Sequence, residues 1–258
     1  VVPNYFQLNK KIALVTGASS GLGVHFANVL ANEGATVILA ARRVEKLAQE
    51  VAAIKAAGGK ADSVAMDVTS PDSVQQAFAD IAARHGAIDI LINNAGVASD
   101  PIKFLDTGEE DWNRIIETNL NGAWRVARAG ARQMAEAGVT GSIVNIGSIY
   151  GLHTGALKAA YNVSKTGVVQ LTKAMAIELC RNRIRVNALC PGWFLTDINS
   201  EYFHSESGER YIKTIPARRM GELEDLTVPL LMLASNTAGG YMTGTTVTVD
   251  GGMVESPI

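Results

Sequence analysis

KIALVTGASSGLGVHFANVLANEGATVILAA, residues 11–41, is the stretch that decides the fold. Lys11–Thr16 is a compact apolar run suited to a strand buried on both faces. Leu22, Phe26, Val29 and Leu30 then recur at helical spacing from Leu22 to Asn32. Gly34 stands where a helix closes through a left-handed residue, and Thr36–Ala41 is a second apolar run. Between the first strand and the helix lies Thr16-Gly17-Ala18-Ser19-Ser20-Gly21-Leu22-Gly23. Glycines let a backbone approach a pyrophosphate, and a helix N-terminus offers it unpaired N–H groups. The spacing is G-x-x-x-G-x-G rather than G-x-G-x-x-G. Alone, such a loop is as readily a tight turn; its flanks make it a dinucleotide site.

Outward from this unit the alternation continues. The second strand ends at Arg42 and Arg43, where a site for NAD usually carries an acid. A guanidinium presents a planar fork to phosphate, so the pair points to NADP, with NAD as a weaker alternative; the competing reading is two solvated residues at a helix start. Helix Val44–Ala57 is stopped by Gly58-Gly59. Strand Ala61–Asp67 runs into Val68, and a helix opens at Ser70-Pro71 and closes at Gly86. Strand Ala87–Ile92 leads into Asn93-Asn94-Ala95-Gly96. A long helical pattern, Glu109 to Ala137, is interrupted by Asn119 and Asn121, with Gly122 as a bend. Strands at Gly141–Ile146, Arg185–Leu189 and Thr245–Val249 and helices at Ala159–Leu179 and Glu222–Ala234 complete the pattern. Alternating strands and helices predict an α/β fold, a doubly wound parallel sheet with helices on both faces, in a single domain over residues 1–258. Such sheets bind ligands beyond the carboxyl ends of their strands. The glycine loop, Arg42, Asp67, Asn94, Ser148 and Pro191-Gly192 all follow predicted strands, so one cleft collects them.

Chemistry is concentrated in GSIYGLHTGALKAAYNVSK, residues 147–165. Tyr161 and Lys165 are four apart and share a helix face; Ser148 follows a strand. The set suits proton transfer at a carbinol or carbonyl. A phenol titrates near 10, a nearby ammonium lowers that, and burial raises it, so Lys165, together with a cationic coenzyme ring, has to outweigh burial. A packed tyrosine beside a solvated lysine is the bland alternative. Tyr150, Leu152, His153 and Trp193 are expected to wall a partly aromatic substrate pocket, under a lid formed by the longer, polar segment 194–216.

Composition excludes several classes. A net charge of −2 gives no global attraction to nucleic acid or anionic membrane. Arg181, Arg183 and Arg185 are expected to form a solvated helix end, and no arginine patch marking a carrier-protein dock is evident. Cys180 and Cys190, both expected to be buried, make no disulfide framework. No metal site is expected, since no histidine has a partner at ligand spacing. Without a membrane-length apolar run or a leader pattern, the expectation is a soluble, cytoplasmic protein.

Taken together, Thr16-Gly17-x-x-x-Gly21-x-Gly23, Asn93-Asn94-Ala95-Gly96, Asn119, Ser148, Tyr161-x-x-x-Lys165, Pro191-Gly192 with Thr196, and Val249-Asp250-Gly251-Gly252 resemble the short-chain dehydrogenase/reductase family, over nearly the whole chain. The resemblance implies a Rossmann-type sheet of about seven strands and, for most members, a homotetramer. It implies Tyr161 as proton donor or base, Ser148 holding the substrate oxygen, and Lys165 binding the nicotinamide ribose and lowering the phenol's pKa. Asn119 would bend its helix and hold a water. Gly17, Ser19, Ser20, Gly21, Leu22 and Gly23 would line the phosphates, Asp67 and Val68 the adenine, Asn94, Ala95 and Gly96 the ribose. Phe194 and Thr196 would bind the carboxamide through backbone and hydroxyl, and Pro191 and Gly192 would also contact the coenzyme. Ser20 occupies a loop position that is basic in many NADP-using relatives. The implied activity is reversible NADPH-dependent reduction of a ketone to a secondary alcohol. The alternatives are a 3-oxoacyl-thioester reductase, a sugar or polyol dehydrogenase, and a nucleotide-sensing scaffold on the same fold.

Overall fold

The computed structural model describes residues 5–195 and 205–256. The order is β1 (Ile12–Thr16), α1 (Gly21–Asn32), β2 (Thr36–Ala41), α2 (Val44–Ala56), β3 (Lys60–Ala65), α3 (Pro71–His85), β4 (Ile90–Asn93), α4 (Glu109–Ile116), α5 (Gly122–Glu136), β5 (Ser142–Ile146), α6 (Ala159–Leu179), β6 (Arg185–Pro191), α7 (Glu206–Ile212), α8 (Thr227–Ala234) and β7 (Thr246–Val249). All seven strands are parallel, in the spatial order β3-β2-β1-β4-β5-β6-β7. The winding reverses between β1 and β4, and a crevice opens at such a reversal.

Strand alternation distributes the core. Ala13 and Val15 of β1, Val37 and Leu39 of β2, and Ile90 and Ile92 of β4 face a cluster built on Phe26, Leu30, Leu230 and Leu233. Leu14, Ile38 and Leu91 face the opposite cluster, built on Phe78, Ile81, Val126 and Met134. Both faces are covered, so the strands read as unbroken apolar runs. Each large side chain removed completely from water contributes about 1.5–3 kcal/mol.

Strand ends differ from the sequence expectation by a few residues. β3 stops at Ala65, leaving Asp67 and Val68 in the following loop, and β6 continues to Pro191 because β7 pairs with it there. The long helical pattern divides as its asparagines suggest: α4 passes through a π turn, Glu117–Asn121, into α5. Gly122 packs against Val68, and a methyl group there would lie 2.7 Å from Val68 Cγ2. Two expectations are corrected. Cys180 is exposed, and only Cys190 is buried. Arg181 and Arg183 are exposed, but Arg185 is buried. Its guanidinium donates to the Leu233 and Ser235 carbonyls, which also accept Ser142 Oγ and the Gly239 amide, and to Asn236 Oδ1, just past the end of α8. No helix among the described residues is long and apolar enough to cross a membrane.

Candidate active site

The site begins at the β1–α1 turn. Gly17 has φ +67°, and a Cβ on Gly23 would stand 2.3 Å from the Gly17 carbonyl oxygen. Only glycines allow the helix to start this close to the loop. The Thr16 hydroxyl accepts the Asn94 and Ala95 amides, both at 3.0 Å, and Asn94 Nδ2 donates to the Thr16 carbonyl at 2.9 Å. These bonds fasten the glycine loop to the Asn-Asn-Ala-Gly loop across the sheet reversal. At the N-terminus of α1, Ser20 makes no side-chain cap and the first turn carries no acid. A Cβ on Gly21 would meet open space. The helix end is thus free to take an anion.

A cleft of about 290 Å³ runs from Gly17, Ser20, Gly21 and Leu22, past Asn94 and Gly96, to Ser148, Tyr161, Lys165, Pro191 and Gly192. Its shape and donors fit a dinucleotide: a phosphate cradle at one end, glycine-walled sides, and the hydroxyl and amine groups at the other. Beside the cradle, Arg43 Nη2 donates to Ser19 Oγ and Ser20 Oγ, each at 2.8 Å. Arg42 lies near enough to Asp67 to act on its charge. Burial pushes the Asp67 carboxyl up, but the Thr69 amide and hydroxyl and the Arg42 guanidinium together bring it below the usual range. Val68 is buried in the core, so what it offers a ligand comes from its backbone. Phe194 is likewise buried and bridges Gly221 through its backbone. Thr196 and the rest of 196–204, the middle of the expected lid, lie outside the described residues; the described part includes α7.

At the far end of the cleft, Ser148 follows β5, and Tyr161 and Lys165 stand one turn apart on α6. Lys165 is buried, its Nζ 2.9 Å from the Ile146 carbonyl oxygen and 5.8 Å from the centre of the Tyr161 ring. Burial pulls its ammonium down to about 8. Burial also pushes the Tyr161 phenol up, against the opposing effect of a hydrogen bond with Ser148. The expectation of a lowered phenol is therefore reversed in the protein alone: desolvation outweighs its polar neighbours. Asn119, fully enclosed, spends its side chain on structure. Its Oδ1 accepts the Val97 amide at 2.7 Å, and its Nδ2 donates to the Val97 carbonyl at 2.9 Å and toward Ser164 at 3.3 Å.

A second cavity, of about 120 Å³, adjoins the first and shares Ala98, Ser148, Tyr161 and Gly192 with it. Tyr150 and Trp193 wall it, as expected. Their rings meet edge to face, and Trp193 Nε1 donates to Tyr211 Oη at 2.7 Å, tying the wall to α7. Leu152 and His153 do not line it. Leu152 is 39% exposed, and His153 packs against Tyr150 with ring centres 5.3 Å apart. Sequence reasoning missed Ser99, Ile149 and Lys158, which do line it. Lys158 carried a signal, standing three residues before Tyr161; Ser99 carried none. No cluster of metal-ligating side chains occurs among the described residues.

A doubly wound sheet with this glycine loop and a Ser148–Tyr161–Lys165 cleft defines a nucleotide-dependent oxidoreductase. The family model described as enoyl-(acyl carrier protein) reductase matches residues 17–254. The 3-oxoacyl-[acyl-carrier-protein] reductase of Thermotoga maritima is 35% identical, over 96% of this chain and 99% of that protein. L-rhamnose 1-dehydrogenase (NAD(P)(+)) of Azotobacter vinelandii is 38% identical, over 94% and 96%. The crystal structure of a gluconate 5-dehydrogenase from Burkholderia cenocepacia, in complex with NADP and tartrate, superposes with a TM-score of 0.93 at 34% identity, covering 98% of each chain. The chain belongs to the short-chain dehydrogenase/reductase family.

Proposed function

We propose that the chain interconverts a secondary alcohol and a ketone on a small, hydroxyl-rich substrate of the sugar or polyol class, with NADP(H) as coenzyme. The observation that carries this reading is the junction of the two cavities. Ser148 and Tyr161 belong to both, so a reacting carbon held in the smaller one meets a ring lying in the larger. The relatives' names favour hydroxylated or thioester substrates over the simple ketone that the sequence suggested.

The bound coenzyme supplies a hydride acceptor or donor. Gly17, Ser19, Ser20, Gly21, Leu22 and Gly23 would hold its phosphates, Asn94, Ala95, Gly96 and Lys165 its nicotinamide ribose, and Pro191 and Gly192 the ring end. Arg43, lying across Ser19 and Ser20, brings from the end of β2 the cation that the loop itself lacks; with Arg42 it favours the 2′-phosphate of NADP. Ser148 donates a hydrogen bond to the substrate oxygen. In reduction Tyr161 gives that oxygen a proton, and in oxidation it takes the hydroxyl proton. A phenol whose pKa is raised by burial is already in the form that reduction needs. Oxidation requires added positive charge nearby, from ionised Lys165 and a cationic ring.

A second reading, reduction of a 3-oxoacyl thioester on a carrier protein, has its own observation. Arg125, Arg128 and Arg132 follow one another along α5 beside Trp124, a basic stripe that sequence inspection did not single out. Arg125 pairs with Glu117, and Arg128 lies 5.8 Å over the Trp124 ring.

Steady-state turnover with NADP(H) on matched sugars, polyols and 3-oxoacyl thioesters separates the readings. Tyr161→Phe is expected to lower kcat by about 10²–10⁴-fold on the accepted substrate, with NADPH affinity unchanged. Retention of most activity would exclude Tyr161 as the acid–base group.

A further inference from the structure

The small cavity contains a charge that the proton-transfer chemistry does not use. Lys158 lines it, at the residue preceding the first turn of α6 and three positions before Tyr161. Lys158 is the N-cap of that helix, with non-helical backbone, and its side chain shares the cavity with Tyr161. Among the described residues the Lys158 ammonium makes one hydrogen bond, to the Ser99 carbonyl at 2.9 Å. An ammonium carries three donors, so two remain for a ligand. Ser99 also lines the cavity, and its buried hydroxyl has no partner among the described residues. A buried hydroxyl without a partner costs free energy that a ligand's polar group recovers. The opposite wall, Tyr150 and Trp193, is aromatic, and burial raises the Tyr150 pKa so that the phenol stays neutral. The cavity is therefore polarised: a cation and an orphan hydroxyl on one side, flat neutral rings on the other.

We propose that Lys158 is a specificity-determining residue that selects a substrate bearing a carboxylate, a polyhydroxylated acid whose carboxylate is held by the Lys158 ammonium while one of its hydroxyls bonds Ser99. The inference rests on the sugar or polyol reading above and narrows it. Burial lowers the Lys158 pKa, and Asp100 opposes that by favouring the charged form. In the oxidising direction the reaction balances as secondary alcohol plus NADP⁺ giving ketone, NADPH and a proton. The C–H bond of the carbinol breaks as hydride passes to the nicotinamide, and the O–H proton passes to Tyr161. The carboxylate takes no part beyond fixing which hydroxyl faces Ser148 and Tyr161.

The experiment measures kcat and KM with NADP⁺ for D-gluconate, for its neutral counterpart D-glucitol and for D-glucitol 6-phosphate. The enzymes are the parent, Lys158→Met and Lys158→Arg. The expected result is a parent kcat/KM for gluconate about 10- to 100-fold above that for glucitol. In Lys158→Met that advantage is lost, mainly through a raised KM for gluconate; Lys158→Arg restores most of it. Thermal melting of each variant identifies a folding defect. Equal loss on gluconate and glucitol, no parent preference for the acid, or preference for the phosphate would each overturn the proposal while leaving the polyol reading intact. Absence of turnover on all three, with activity only on a 3-oxoacyl thioester, would remove the polyol reading itself and this inference with it.

Discussion

Adding one methyl group at Gly23 tests the reasoning most directly. The Cβ of Gly23→Ala would lie 2.3 Å from the Gly17 carbonyl oxygen and 2.8 Å from Asn94 Nδ2. An ordinary carbon–oxygen contact is longer by about 1 Å, so a movement of that size is forced. The obstacle is backbone and cannot rotate aside. The Gly17 loop has no room to retreat either, because a Cβ on Gly17 would already stand 2.9 Å from Ala95 Cα. Either α1 lifts from the loop, or the bond from Asn94 Nδ2 to the Thr16 carbonyl breaks. Overpacking of this kind costs about 1–3 kcal/mol. For a chain of this size each kcal/mol lowers Tm by about 2–4 °C, so a fall of roughly 2–12 °C is expected. The phosphate cradle moves with α1, so NADPH affinity is expected to fall, and a displacement near 1 Å at the reacting groups costs about 100-fold in rate. NADPH titration followed by coenzyme fluorescence, with a thermal melt on the same samples, measures both effects. A variant that binds NADPH like the parent and melts at the parent's temperature would refute the assignment of this loop as the phosphate site.

Two further outcomes follow from the same geometry. Arg43→Ala is expected to reduce the preference for NADPH over NADH in kcat/KM by about tenfold or more, since a charge-assisted bond to phosphate is lost; an unchanged ratio would assign discrimination to Arg42. Lys165 titrates near 8 in the folded chain against 10.5 for a free side chain. The unfolded chain therefore binds an extra proton between those values, and the ionised amine opposes folding below pH 8. Lys165→Met should abolish turnover, yet at pH 7 be more stable than the parent by on the order of a few kcal/mol, less about 1 kcal/mol for the lost bond to the Ile146 carbonyl. Urea melts from pH 7 to 10.5 should show that advantage shrinking as pH rises, and a constant difference would refute it.

Much of this architecture is legible from neighbours in sequence. The alternation of apolar runs with helical stripes is local, and it placed β1, α1, β2 and α6 within a residue or two of their observed bounds. Boundaries slipped where a distant strand sets the end, as at Pro191, which is paired by Val249. The pocket was read less well. Tyr150 and Trp193 were found because aromatic residues after strands advertise themselves. Leu152 and His153 follow Tyr150 just as closely, but the 3₁₀ turn Ile149–Gly151 rotates them away from the cavity.

By itself, then, the chain's sequence determined the order of strands and helices, the glycine loop, and the one-turn spacing of Tyr161 and Lys165, because each depends on residues a few positions apart. Tertiary structure alone decided that Arg43 lies across Ser19 and Ser20, that Arg185 closes the end of α8, that Ser99 and Lys158 share a cavity, and that burial raises the Tyr161 phenol. Those outcomes depend on which distant segments pack together and on how much water that packing removes, and neither quantity is written in any short stretch of residues.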